Sequence, residues 1–175
     1  MKWNVAVAGP VEMAPGGEAT FCEYKGLSPV VEIHAANIFT SYERWGFFRI
    51  GILPILVADH LQIQIQSAPY LANALADIKT WHQVRPASRQ LEAKSLEITL
   101  RGEKEPRLRA SLARVGPDAT IKLSDVTFRD IEGKQVSVSK ATLLIAGPSA
   151  GRLCWNSDGR QEECFLFQTP NDKKP

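Results

Sequence analysis

The chain has 175 residues, 44% of them apolar and 23% charged, with a formal net charge of +2, the profile of one ordinary globular domain with room for a real core. Glycine and proline together make 23 residues, close to background, which excludes a collagen-like or low-complexity chain. The weak charge gives no basic footprint for nucleic acid, and no apolar run approaches the roughly 20 residues that span a bilayer.

Strand patterns dominate the chain from its start. Trp3, Val5 and Val7 alternate before Gly9-Pro10, and Ala14-Pro15-Gly16-Gly17 is a turn signal. Thr20, Cys22 and Tyr24 alternate next, up to Gly26 and Ser28-Pro29. The stretches 30–42, 47–65, 91–100, 108–115 and 120–145 are rich in β-branched and alternating apolar residues, as strands require. Gly102, Gly116-Pro117-Asp118, Glu132-Gly133 and Gly147-Pro148 punctuate them. One helix is expected over 68–82, with Ser67 as N-cap, Pro69 in the first turn, and Leu71, Leu75, Ile78 and His82 at helical spacing. The predicted fold is mainly β: a curved antiparallel sheet, or an open β-sandwich or β-groove, with one amphipathic α-helix. Residues 1–168 form a single β-rich domain and 169–175 a flexible C-terminal tail.

A short phrase recurs along the strands: apolar, any, small-or-apolar, any, any, apolar, any, apolar. Residues 56–63, 91–98, 121–128 and 136–143 carry it, and 33–38 carry its first six positions. In each copy the inward parity changes at two central residues; Leu56 and Ala58 are even, whereas Leu61, Ile63 and Ile65 are odd. A strand with a side-chain period of two cannot do this without absorbing one extra residue, so each copy predicts a bulge or sharp bend.

The phrase apolar-x-Ala-x-x-apolar-x-Ile-x-apolar, as in Leu56 to Ile65 and Leu91 to Leu100, resembles the AsmA-like family of bacterial envelope proteins. Phe48-Arg49-Ile50-Gly51-Ile52-Leu53-Pro54, running into the Ala58 copy, is similar to a recurrent opening in those proteins. The resemblance covers roughly residues 30–146. It implies a periplasmic, β-rich part of a protein held at the inner membrane by an anchor outside this chain. The related bridges of lipopolysaccharide export imply curved strands stacked around an apolar groove. A cytoplasmic location is the alternative.

No segment carries a catalytic signature. His34, His60 and His82 have no metal-binding spacing, so no metal is expected, and no cofactor. The serines lack a G-x-S-x-G elbow. Cys22 is expected to be a small buried apolar residue. The most apolar stretch, 47–57, contains the candidate lipid or membrane contacts Trp45, Phe47, Phe48, Arg49, Ile52 and Leu53, an aromatic and cationic set suited to a headgroup interface; the plainer reading is a buried strand bent near Pro54. Glu103 and Glu105 belong to a solvated turn. Arg107 and Arg109 share a strand face, expected to be wet and supplied with salt partners.

Cys154 and Cys164 flank Asp158-Gly159, a hairpin turn signal. A hairpin centred on Gly159 sets the two cysteines directly opposite each other, within reach of a disulfide. Such a bond argues for an oxidising compartment, against two reduced thiols in a cytosolic hairpin, and Cys22 stays free. The expected function is non-catalytic: a periplasmic module of a membrane-associated envelope protein, lipid-associated through an apolar groove. The alternative is an adaptor or assembly subunit that recruits a partner strand to a sheet edge. The expected partners are therefore lipid or the inner-membrane surface, or another envelope protein.

Overall fold

A computed structural model describes residues 17–45, 48–66, 90–116, 120–130, 132–145, 148–149, 151–157 and 161–166. Twelve strands form one sheet: β1 Gly17–Lys25, β2 Ser28–Trp45, β3 Phe48–Ala58, β4 His60–Ile65, β5 Gln90–Ala93, β6 Leu96–Leu100, β7 Leu108–Ala110, β8 Leu112–Val115, β9 Thr120–Arg129, β10 Gln135–Leu144, β11 Arg152–Ser157 and β12 Gln161–Leu166. The mainly β expectation holds. The helix expected over 68–82 falls outside the described residues, as do the strand over Trp3 to Val7 and the tail 169–175; no helix occurs among the described residues.

The sheet is mixed, which corrects the antiparallel expectation. β3 runs parallel to β5 and β4 parallel to β6, while every other pair is antiparallel. The physical reason lies in the connection. Antiparallel neighbours need only a tight turn, such as Gly26-Leu27, where Lys25 still faces Ser28 and Gly26 takes a φ of +68° that suits glycine. Parallel neighbours need a crossover of a dozen or more residues, and residues 67–89 make that connection.

Three pairs of short strands are legs of single bent strands. β3 and β4 are separated only by Asp59, β5 and β6 by Lys94-Ser95, and β7 and β8 by Ser111; the chain bends at each of these points. Asn37 in β2 and Asp125 in β9 take the left-handed φ values of 52° and 47°, and the β9–β10 pairing passes over Asp125 and Ser139. The register does not slip across these breaks. Ala36 faces His60 and Phe39 faces Val57; Ala58 aligns with Ala93 and Leu61 with Leu96; Ala93 faces Ala113 and Leu96 faces Ala110. Every strand from β2 to β10 absorbs its extra residue in the same row. The bulges merge into one crease crossing the sheet through Asn37, Asp59, Lys94-Ser95, Ser111, Asp125 and Ser139. Backbone bonds carry the ladder through it: Asp59 N donates to Ala36 O (3.0 Å), Lys94 N to Ala58 O (3.0 Å), Leu61 N to Ser95 O (2.8 Å) and Ser111 N to Ser124 O (3.0 Å).

The parity change keeps one face apolar on both sides of the crease. On one leg Ile33, Ile63, Ile65, Leu96, Ile98, Leu108, Val126 and Phe128 point inward, and on the other Leu56, Leu91, Val115, Ile121, Leu123 and Leu143 do so; all belong to one buried cluster. None is more than 5% exposed, so among the described residues this face is a packed core. On one side of the crease a row of small residues points inward. Ala58, Ala93 and Ala113 stand side by side on neighbouring strands, 1–3% exposed, because side chains of the two legs converge on the inner side of a fold line. Phe128 closes the far end of the core against Trp155 and Phe165, with ring centroids 5.0 and 5.5 Å apart.

Candidate functional site

Five of the six lipid-contact candidates, Phe47 excepted, lie at positions of one pair of strands. β1 follows β2 only as far as Ile38, opposite Gly17, and β5 meets β3 only from Ile55 onward. Residues 39–45 and 48–54 thus pair only with each other among the described residues, as a two-stranded ribbon. Its register shifts between Tyr42 and Arg44, and at its end Arg44 stands opposite Arg49 and Trp45 opposite Phe48. Trp45, Phe48, Arg49, Ile52 and Leu53 all occupy ribbon positions. Phe47 lies outside the described residues. The backbone register places these positions; their side chains are not among those described.

The outer face of the sheet is polar and cross-linked between strands. Glu97 of β6 accepts from Arg109 of β7 (3.1 Å), and Glu92 of β5 from Arg114 of β8 (2.7 Å). Arg107 pairs with Glu103, and Arg129 with Glu105. Arg107 and Arg109 therefore have salt partners; Arg109 is exposed as expected for a wet face, whereas the Arg107 side chain is only 12% exposed, and Glu103 and Glu105 are occupied in pairing. Screening by solvent makes such exposed pairs individually weak.

Two hydroxyl–imidazole–carboxylate chains lie on this outer face. His34 Nδ1 is 2.9 Å from Thr20 Oγ1 and its Nε2 is 2.7 Å from Glu32 Oε1. His60 Nδ1 is 3.0 Å from Ser95 Oγ and its Nε2 is 4.0 Å from Glu97 Oε2. A carboxylate only accepts, so the neutral His34 ring donates from Nε2 and accepts the Thr20 hydroxyl at Nδ1. The residue types match a nucleophile relay, but catalysis also needs donors aimed at a developing oxyanion. Thr20 of β1 stands directly opposite His34 of β2, and His34 is half exposed. These chains act as cross-strand fasteners. Sequence spacing could not reveal them, since Ser95 and His60 meet only through the parallel β4–β6 pairing.

At the crease Lys94 Nζ lies 2.6 Å from Asp59 Oδ1 and 4.9 Å from the centroid of the Phe39 ring. The Lys94 ammonium, by hydrogen bonding and charge, holds the Asp59 carboxyl below its ordinary 3.8, assisted by Asn37 and opposed by desolvation. Ser111 Oγ donates to Asp125 Oδ2 (2.8 Å). The polar residues that interrupt the repeated phrase are thus the ones that fasten the bend. Cys22 departs from expectation: it is half-buried on the outer face, and its hydrogen bond to Tyr24 is the leading cause that pushes the tyrosine above its ordinary 10.0, followed by electrostatic repulsion between the two groups.

The C-terminal hairpin pairs as the sequence predicts. Cys154 faces Cys164, Trp155 faces Glu163 and Asn156 faces Glu162, and a Cys154–Cys164 disulfide joins the strands with a Cα separation of 4.1 Å. Leu153, Trp155 and Phe165 belong to or pack on the core, so the disulfide sits on the outer face. Phe167 lies outside the described residues. The metal-binding atoms of Cys154, Glu162 and Cys164 lie within 4.8 Å of one another, a grouping not anticipated from the histidine and cysteine spacings.

No protein-family model, curated protein or solved structure matches the chain. No helix among the described residues is long and apolar enough to cross a membrane.

Proposed function

We propose that the chain is a non-catalytic module of a bacterial envelope protein that rests against a lipid surface through the ribbon of residues 39–54. The ribbon is the observation that carries this reading. A ribbon whose residues 39–45 and 48–54 pair only with each other among the described residues, and whose register sets Trp45 opposite Phe48 and Arg44 opposite Arg49, has the composition of a headgroup-facing element. The burial of the inner-face residues supports the ribbon, and not an apolar groove, as the surface of this reading. The Cys154–Cys164 bond supports a periplasmic location, because such bonds persist where thiols are oxidised. The repeated phrase supports a kinship with AsmA-like proteins.

The test is co-sedimentation with vesicles of phosphatidylethanolamine and phosphatidylglycerol. The wild-type protein should pellet with them, and Trp45→Ser with Phe48→Ser should cut the bound fraction about tenfold or more, since each aromatic removed forfeits about 1.5–3 kcal/mol of apolar burial. Equal binding by wild type and variant, or none by either, overturns the reading.

The adaptor reading has its own support. Among the described residues β1 and β12 are the outermost strands of the sheet, and an unpaired edge is a template for a partner strand. Native mass spectrometry of the protein isolated from its source, showing a stoichiometric partner and no lipid, would favour it.

A further inference from the structure

The geometry points to a second state of the C-terminal hairpin: once the disulfide is reduced, Cys154, Cys164 and Glu162 form a binding site for a soft divalent metal ion of the zinc class. The inference is independent of the lipid reading, because it uses the opposite end of the sheet order and requires neither a membrane nor the ribbon.

The placement follows from strand periodicity. Cys154 and Cys164 are directly opposed, and Glu162 lies two residues before Cys164, hence on the same face one pleat away. In the disulfide-bonded hairpin the ligand atoms of the three residues already lie within 4.8 Å of one another. Two thiolates and a carboxylate are a donor set that zinc accepts, at about 2.3 Å for sulfur and 2.0–2.2 Å for oxygen. Cys154 is buried, whereas Cys164 and Glu162 are exposed. The ion therefore has an open approach from the Cys164 side and keeps one position for water, as three-ligand zinc sites do. Arg152, two residues before Cys154 on the same strand face, supplies a positive charge that favours the thiolate form.

The chemistry balances with a dithiol as reductant. The protein disulfide takes up two electrons and two protons and becomes two thiols, while the dithiol closes into its own disulfide. The metal ion then replaces the two thiol protons, which pass to solvent. Disulfide and metal site are mutually exclusive, because both use the same two sulfur atoms. In an oxidising compartment the hairpin is covalently closed; where a dithiol reaches it, the same residues hold an ion.

The experiment uses the full chain carrying Cys22→Ser, so that only the hairpin thiols report. The protein is reduced with a dithiol without oxygen, freed of reductant and titrated with Co²⁺, followed by thiolate-to-cobalt charge-transfer absorption. One equivalent should bind, Zn²⁺ should abolish the band, and the oxidised protein should show none. Glu162→Gln keeps both thiols and the disulfide, so its fold can be checked independently by circular dichroism. It should weaken binding about tenfold or more, since even losing a group that only supports a ligand costs about 10–100-fold. Absence of the band in reduced, folded protein overturns the site, and so does unchanged affinity in Glu162→Gln.

Discussion

Replacing Ala93 with leucine tests whether the inner face is a filled core or an open groove, because the two cases predict opposite signs. Ala93 is 1% exposed and lies between Ala58 and Ala113, which are 1% and 3% exposed, in the row beside the crease. A leucine adds three carbon groups. If the inner face had room, each would gain about 0.8 kcal/mol of burial, roughly 2.4 kcal/mol of added stability at most. If the two legs converge on a closed row of alanines, the added atoms force side chains off their rotamers or push strands apart, costing about 1–3 kcal/mol. The alanine row and the packing around it predict the second result. The assay is urea unfolding followed by circular dichroism, with Ile63→Ala as the reference for opening a cavity in the same cluster, expected to cost about 2–5 kcal/mol. Ala93→Leu should unfold at lower urea than wild type with an unchanged slope. A midpoint equal to or above wild type would refute the closed crease and restore the groove as the lipid-contacting surface.

Other consequences can be measured on the same preparation. Lys94→Met should return the Asp59 carboxyl towards its ordinary 3.8, as read by carboxyl carbon NMR. Because its pKa is lowered in the fold, Asp59 contributes stability above the unfolded value and loses it as pH falls through the folded one, so wild type and Lys94→Met should converge in acid and diverge towards neutral pH. A thiol count on denatured protein from its native compartment should give one reactive thiol before reduction, Cys22, and three after; closing so short a loop should stabilise the fold by about 3 kcal/mol or less. Phe128→Ala should cost about 3–5 kcal/mol and change the emission of Trp155, whose ring lies 5.0 Å away.

Much of the fold was legible because strand alternation is local. The parity changes after Ala58, Ala93, Leu123 and Val138 coincide with the crease. A sixth copy, Leu108-Arg109-Ala110-Ser111-Leu112-Ala113-Arg114-Val115, fits the same template but is masked by the size of its residues. There the larger Leu112 occupies a position that the template leaves unrestricted, while the small Ala113 points inward. Size misleads where parity does not. The Cys154–Cys164 pairing was legible for the same local reason: a hairpin with its turn at Asp158-Gly159 leaves little freedom in register.

Sequence alone thus determined the strand content, the bend positions and the hairpin disulfide, since each depends on residues within about ten positions of one another. Only tertiary structure decided that β3 and β5 run parallel, because alternation is identical in either direction. Only tertiary structure aligned the separate bulges into one row, because that requires the strands to share a register. The same holds for the contacts of His60 with Ser95 and Asp59 with Lys94, separated by 35 residues in the chain and joined by pairing across the crease. The ribbon, too, is defined by the register of β2 on β3 among the described residues, a pairing of two strands that neither strand records by itself.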